Sequence, residues 1–171
     1  MRDFITWLSL SDLSIAIGSA GWAVPLIQCF HIVAVGALTG ALLVFNLKIA
    51  GLFASEEPLQ VVSKRYEGWI WGAIILLALT GGLLIIAEPA RELLAFSFWA
   101  KMTLLLIGMI IVASFQLRIR RGAGAWGEGT TAPAGARRLA VGSFVIWVCI
   151  MVLGRFIAWD TTIWGSWSFA A

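Results

Sequence analysis

Apolar residues fall into four blocks of about 20, at 22–47, 68–87, 98–117 and 139–158. With about 1.5 Å of rise per residue, each is long enough to cross the hydrocarbon core of a bilayer as a helix. Pro25 stands in the first turn of the first block, where its missing N–H costs nothing. Pro58 breaks the loop 47–68, Glu88 and Pro89 end the second block, and the Gly, Ala, Thr and Pro of 118–138 read as a mobile loop. Ahead of the first block, Phe4, Ile5, Trp7, Leu8, Leu13, Ile15 and Ile17 are interleaved with serines and aspartates. That segment is too polar to span and too apolar for a free tail, so 1–21 predicts a short amphipathic helix at the bilayer interface. A Trp-rich tail, 159–171, follows the last block. The expected fold is all-α, a polytopic four-helix transmembrane bundle with one membrane domain, 1–171.

Composition agrees and excludes a soluble domain. Hydrophobic residues make up 61% and charged residues 12%, against an ordinary charged share of about 25%. The net charge of +3 comes from basic residues in two loops, not on one face, so nucleic acid is no expected partner and the bilayer is. Cys29 and Cys149 lie inside spans without a CxxC and read as packing residues. Asp3, Ser9, Ser11, Asp12 and Ser14 interrupt the N-terminus, so no cleavable signal is expected and the first span serves as its own targeting signal.

Orientation follows from Lys and Arg beside the spans. Lys48, Lys64, Arg65, Arg118, Arg120, Arg121, Arg137 and Arg138 flank the two long loops, eight against four for Arg2, Arg91, Lys101 and Arg155. Both long loops are therefore expected in the cytoplasm and both termini outside, in a bacterial inner membrane. Trp7, Trp22, Trp99, Trp159, Trp164 and Trp167 would form an outer aromatic belt, and Trp69 and Trp71 an inner one.

The first span carries the chain's one histidine, His31. On a helix, Gln28, Asn46 and Thr39 fall within about 60–80° of it, while Gly36 and Gly40 fall about 140–180° away. The span thus has a polar stripe and, opposite, a GxxxG notch suited to another helix, with Gly68 and Gly72 of the second span as a matching pair. His31 lies about 13 Å below Trp22, in the outer half of the span. Lys101, Arg155 and Glu88 belong to the same half of the other spans. Lys101 and Arg155 are near enough to the interface to snorkel; His31 is not.

One histidine with two cations suits an anionic or electron-rich occupant. Haem b fits with His31 as an axial iron ligand and Lys101 and Arg155 near the propionates; a second ligand would come from Met102, Met109 or Met151, or from another copy of the chain. A quinone fits with His31 and Gln28 donating to a carbonyl. A His31 hydrogen-bonded to a neighbouring helix is the plain structural alternative. No Ser-His-Asp set, phosphate loop or carboxylate dyad assembles at membrane depth, so no catalytic residue is assigned.

These residues carry a resemblance. PLIQCFHIVAVG (25–36) followed by NLKIAG (46–51), TGG (80–82), FWAK (98–101) and GRFIA (154–158) resembles a family of uncharacterised bacterial four-span membrane proteins across nearly the whole chain. The resemblance implies a four-helix membrane fold and makes His31, Lys101 and Arg155 the family's own polar positions. Gln28 stands where relatives are expected to carry an acid and Asn46 where they carry Asp, so two charges are missing from any proton relay. The expected function is a small redox or ligand-binding protein holding haem b or a quinone near His31. The alternative is a non-catalytic assembly subunit of a larger membrane complex or a homo-oligomer; an ion or proton transporter ranks last.

Overall fold

Each apolar block folds as a long helix, the last finishing in a 3₁₀ turn, and shorter helices lie in the described polar segments. The computed structural model describes residues 2–52, 56–122 and 132–169, and among these every regular element is helical. In chain order these are α1 (Arg2–Ser9), α2 (Asp12–Ser19), α3 (Ala23–Ala50), α4 (Leu59–Ala87), α5 (Pro89–Leu93), α6 (Phe96–Arg121), α7 (Ala134–Phe156) and α8 (Asp160–Trp164). Single 3₁₀ turns at Ile157–Trp159 and Gly165–Trp167 flank α8. Four stretches are long and apolar enough to cross a membrane: α3, α4, α6 and Ala134–Trp167. Of the expected mobile loop, 123–131 lie outside the described residues, as do 53–55 of the first loop.

The helix ends have local causes. The surface segment is two helices, because Ser11 starts a new one as N-cap, its hydroxyl accepting from the Ser14 amide at 3.3 Å. α3 ends in a Schellman turn: the Leu52 amide donates to the Leu47 carbonyl (3.0 Å) and the Gly51 amide to Lys48 (3.1 Å), with Gly51 at φ +74°. α4 starts at Leu59, well before its apolar block, since Pro58 opens it and Leu59, Val62 and Ser63 are buried on one side.

The packing divides into two compact units. The first takes the described residues up to Val35, those of Ile74–Thr103 and those from Met151. In it Ala95, Phe98 and Ile157 form a core with Ile85 and Leu93 against it, and α1 lies on α5 with Ile5 buried. The described part of the Trp-rich tail is folded: Trp164 packs on Phe96 with tilted rings and Trp167 edge-on, with ring centroids 4.9 and 6.0 Å apart. Asp160, 5% exposed, caps α6, accepting from the Phe96 and Ser97 amides (2.9 Å each) and the Ser97 hydroxyl (2.6 Å).

The second unit comprises Gly36–Ala73 and Leu104–Ile150. Leu38, Leu42, Phe45 and Ile49 of α3, Ile70 of α4, Val112, Phe115 and Ile119 of α6 and Ala140 and Trp147 of α7 fill its interior. Asn46, Lys48, Ser63, Gln116 and Ser143 are buried with them, while Trp69, Leu106, Ile110 and Val145 are exposed. Polar groups inside and apolar groups outside is the arrangement a protein adopts when lipid is its solvent.

One expectation is corrected here and another extended. The glycine notches do not seat α3 on α4: a Cβ added at Gly36, Gly40, Gly68 or Gly72 would meet nothing within 4 Å. The buried face of α3 carries Ala34, Leu38, Ala41, Leu42, Phe45 and Asn46, which turns the glycines outward. The close helix approach is at Gly108, where a Cβ would lie 3.1 Å from the Trp147 ring. Trp71 is also more than a belt residue; half-buried, it donates its indole N–H to the Gln116 side-chain oxygen at 2.8 Å.

Candidate functional site in the first unit

Sequence places His31 on the polar side of α3, and the fold sets that side against Thr80 and Gly81 of α4. The ring nitrogen Nδ1 of His31 is 2.8 Å from Oγ1 of Thr80. Thr80 is buried, and its hydroxyl also lies 2.7 Å from the carbonyl oxygen of Leu76, one turn back on its own helix. A hydroxyl has one proton. The carbonyl can only accept, so that proton goes to Leu76, and Thr80 must accept from His31. Nδ1 therefore carries a hydrogen, and in the neutral imidazole Nε2 keeps its lone pair. Among the described residues Nε2 has no hydrogen-bond partner. A Cβ at position 81 would sit 3.5 Å from Cε1 of His31, so the glycine gives the imidazole room beside the α4 backbone.

Lys101 joins this site from α6. The carboxylate of Asp160 fixes the first turn of that helix, and Lys101 stands one turn further along. Its aliphatic stem passes Gly154 of α7, where a Cβ would be 3.7 Å from Cδ, and its ammonium lies 5.2 Å from the centroid of the Phe98 ring. Its charge acts on His31 on one side and on Glu92 of α5 on the other. Burial pushes the Glu92 carboxyl above its usual range, while the charges of Lys101 and Arg91 pull it partway back. The first unit thus gathers a neutral-acceptor imidazole, a half-buried cation and a half-buried acid, contributed by three helices.

The other sequence-selected residues are distributed differently. Gln28 is half-buried, one turn before His31 on α3. Arg155 is exposed, and it is its neighbour Gly154 that meets Lys101. Glu88 pairs with Arg91 at 2.5 Å. Thr39 and Asn46 belong to the second unit, where Asn46 is buried and donates to the Leu42 carbonyl at 2.9 Å. Met102 is exposed, Met109 falls in the second unit and Met151 is half-buried in the first. Among the described residues no three of His, Cys, Asp and Glu converge.

In the sequence Thr80 stands out only as part of the TGG motif, and nothing local marks Glu92 or Asp160. For Thr80 the available signal was a hydroxyl inside an apolar run at the level of His31.

The model of a family of unknown function (DUF6644) matches residues 4–160, and the chain belongs to that family. No curated protein and no solved structure matches it.

Proposed function

We propose that this member of the family binds a redox-active ligand, haem b or a quinone, at His31 within the membrane. The observation that carries the reading is the Thr80 hydroxyl, which spends its proton on Leu76 and leaves His31 with Nδ1–H held and the Nε2 lone pair available. Histidines that ligate metals are prepared in this way, with the far nitrogen fixed by an acceptor. A haem bound here would be held by His31, with Lys101 to serve a propionate, and would supply one-electron chemistry. A quinone in its reduced form would give a ring hydroxyl to the same lone pair, with Lys101 offsetting any charge on the ring oxygen. Among the described methionines of this unit Met102 is exposed and Met151 half-buried. Gln28, a turn away, is the residue to orient a second polar group of the ligand; Arg155, exposed, is assigned an interfacial role.

The protein is placed in a bacterial inner membrane with both termini outside, a reading supported by the eight cationic residues beside the long loops against four on the other side. The direct test is a visible spectrum of detergent-purified protein, oxidised and reduced, with solvent extraction for quinone. A haem band or a stoichiometric quinone, lost in His31→Ala, is the expected result. Colourless, quinone-free protein from a host that makes both would overturn the reading.

A further inference from the structure

Among the described residues, four enclosed polar atoms of the second unit have no hydrogen-bond partner: Oδ1 of Asn46, Nε2 of Gln116, Oγ of Ser143 and Nε1 of Trp147. Their residues are between 0% and 4% exposed. Leaving such groups enclosed and unpaired is costly, and folded proteins almost always satisfy them. A partner for them is energetically required.

Their placement indicates what that partner is. Ser143 and Trp147 share the buried stripe of α7, one turn or about 6 Å apart. The Trp147 ring lies on Gly108, and Gln116 is eight residues further along α6, about 12 Å. Arg137 of α7 donates to the Ala50 carbonyl at 2.8 Å, which sets the end of α3 beside the start of α7 and puts Asn46 one turn further in, near the level of Ser143. The four atoms are therefore staggered along the helix axes, not gathered round one centre. They mix donors, Gln116 and Trp147, with an acceptor, Asn46, and a hydroxyl that is both. Leu42, Phe45, Val112 and Phe115 of the same unit are at most 2% exposed, so apolar side chains make up much of its interior. A narrow, staggered, mixed donor and acceptor set matches water, which accepts and donates at about 3 Å intervals. Gln116 also lines an open groove of about 270 Å³ with Glu67, Trp71 and Arg120, where Glu67 and Arg120 form an ion pair.

We propose that the second unit binds a file of water molecules, running from the Glu67–Arg120 groove past Gln116 to Asn46, Ser143 and Trp147, which carries solvent into the interior of the helices. The test is hydroxyl-radical footprinting by pulsed X-rays on the full chain in detergent, which oxidises side chains next to bound water. Corrected for intrinsic ring reactivity, Trp147 is expected to be oxidised several-fold faster than Phe45, which is equally buried but apolar throughout. Ser143→Val and Asn46→Leu should each bring Trp147 down towards the Phe45 rate; Ser143→Ala serves if the larger side chain prevents folding, judged by circular dichroism. Trp147 oxidised no faster than Phe45 overturns the proposal. So does rapid oxidation that folded Ser143→Ala and Asn46→Leu leave unchanged, since the label would then report opening of the helices and not bound water.

Discussion

Thr80 and His31 show how much one proton decides. Thr80→Val keeps the shape of the side chain but removes the acceptor, so the imidazole Nδ1–H loses its partner and the ring is free to turn or to exchange tautomer. The expected outcome is ligand affinity weakened about 10–100-fold, as when other outer partners of ligating histidines are removed. Thr80→Ser should retain most of it. Titration of stripped protein with haem or quinone, read by absorbance, checks this; equal affinities for the valine and serine variants would remove Thr80 from the site. Glu92 offers an independent check through pH. Burial raises its carboxyl pKa in the folded protein, so the folded state binds that proton more tightly than the unfolded chain does. Its contribution is then complete below the unfolded value of about 4.3 and is lost as pH rises through the raised folded value. Relative to Glu92→Gln, the wild type should lose melting temperature as pH climbs from about 4 towards neutrality. Parallel profiles would show that Glu92 is solvated like a surface acid. At this scale His31 and Lys101 were legible because charge and imidazole are rare in apolar runs. Thr80 and Glu92 were not, because a hydroxyl in a span and an acid in a loop are ordinary until a neighbour gives them a role.

Among the elements, the four spans could be read from the chain because an apolar run of that length has no other use in so short a protein. Their contacts could not. GxxxG states that a helix can be approached closely, not that it is, and the inward-facing Asn46 and Leu42 decide which side of α3 is covered. The same reasoning separates two substitutions of one kind. Gly108→Ala pushes a Cβ into the Trp147 ring at 3.1 Å and should cost about 1–3 kcal/mol. Gly36→Ala meets open space and should stay within about 1 kcal/mol of the wild type, on the stabilising side. Denaturant unfolding in detergent measures both, and a Gly36→Ala loss as large as that of Gly108→Ala would mean that the outward face is packed against another chain. Asp160 was invisible for a different reason: its partners lie 63 and 64 residues away, and no local pattern announces a cap supplied from elsewhere. Asp160→Ala strips the acceptor from two amides and a hydroxyl and should destabilise by about 1–3 kcal/mol. Because α6 carries Lys101 on its second turn, the same change should loosen ligand binding without touching His31. Retained stability would indicate that the Trp164 and Trp167 packing alone anchors the tail.

For the whole molecule the governing quantity is the asymmetry of charge along the chain. The surface of each unit is rich in exposed apolar side chains and four stretches are long and apolar enough to cross a membrane; with all four crossing, the chain would end on the side from which it started. Which side that is depends on short flanking segments, since Lys and Arg close to a span resist translocation. Arg118, Arg120, Arg121, Arg137 and Arg138 cluster at the facing ends of α6 and α7, where Arg137 is pinned to the Ala50 carbonyl and Arg120 to Glu67. Lys48, Lys64 and Arg65 stand at the facing ends of α3 and α4, with Arg65 donating to both oxygens of Glu57 at 2.8 and 2.9 Å and holding that carboxyl below its usual range. Carboxylates count little in this rule, so these pairings do not cancel the bias. A phosphatase that is active only outside the cytoplasm, fused after residue 171, should therefore be active. Fused between Leu52 and Glu56 it should be inactive, and a fluorescent protein that matures only in the cytoplasm should give the reverse pattern. Replacing Arg118, Arg120, Arg121, Arg137 and Arg138 together by glutamine lowers the count from eight against four to three against four, which should yield a mixed population active in both assays. A single unchanged orientation after that replacement would mean that the long loops are retained by something other than their charge.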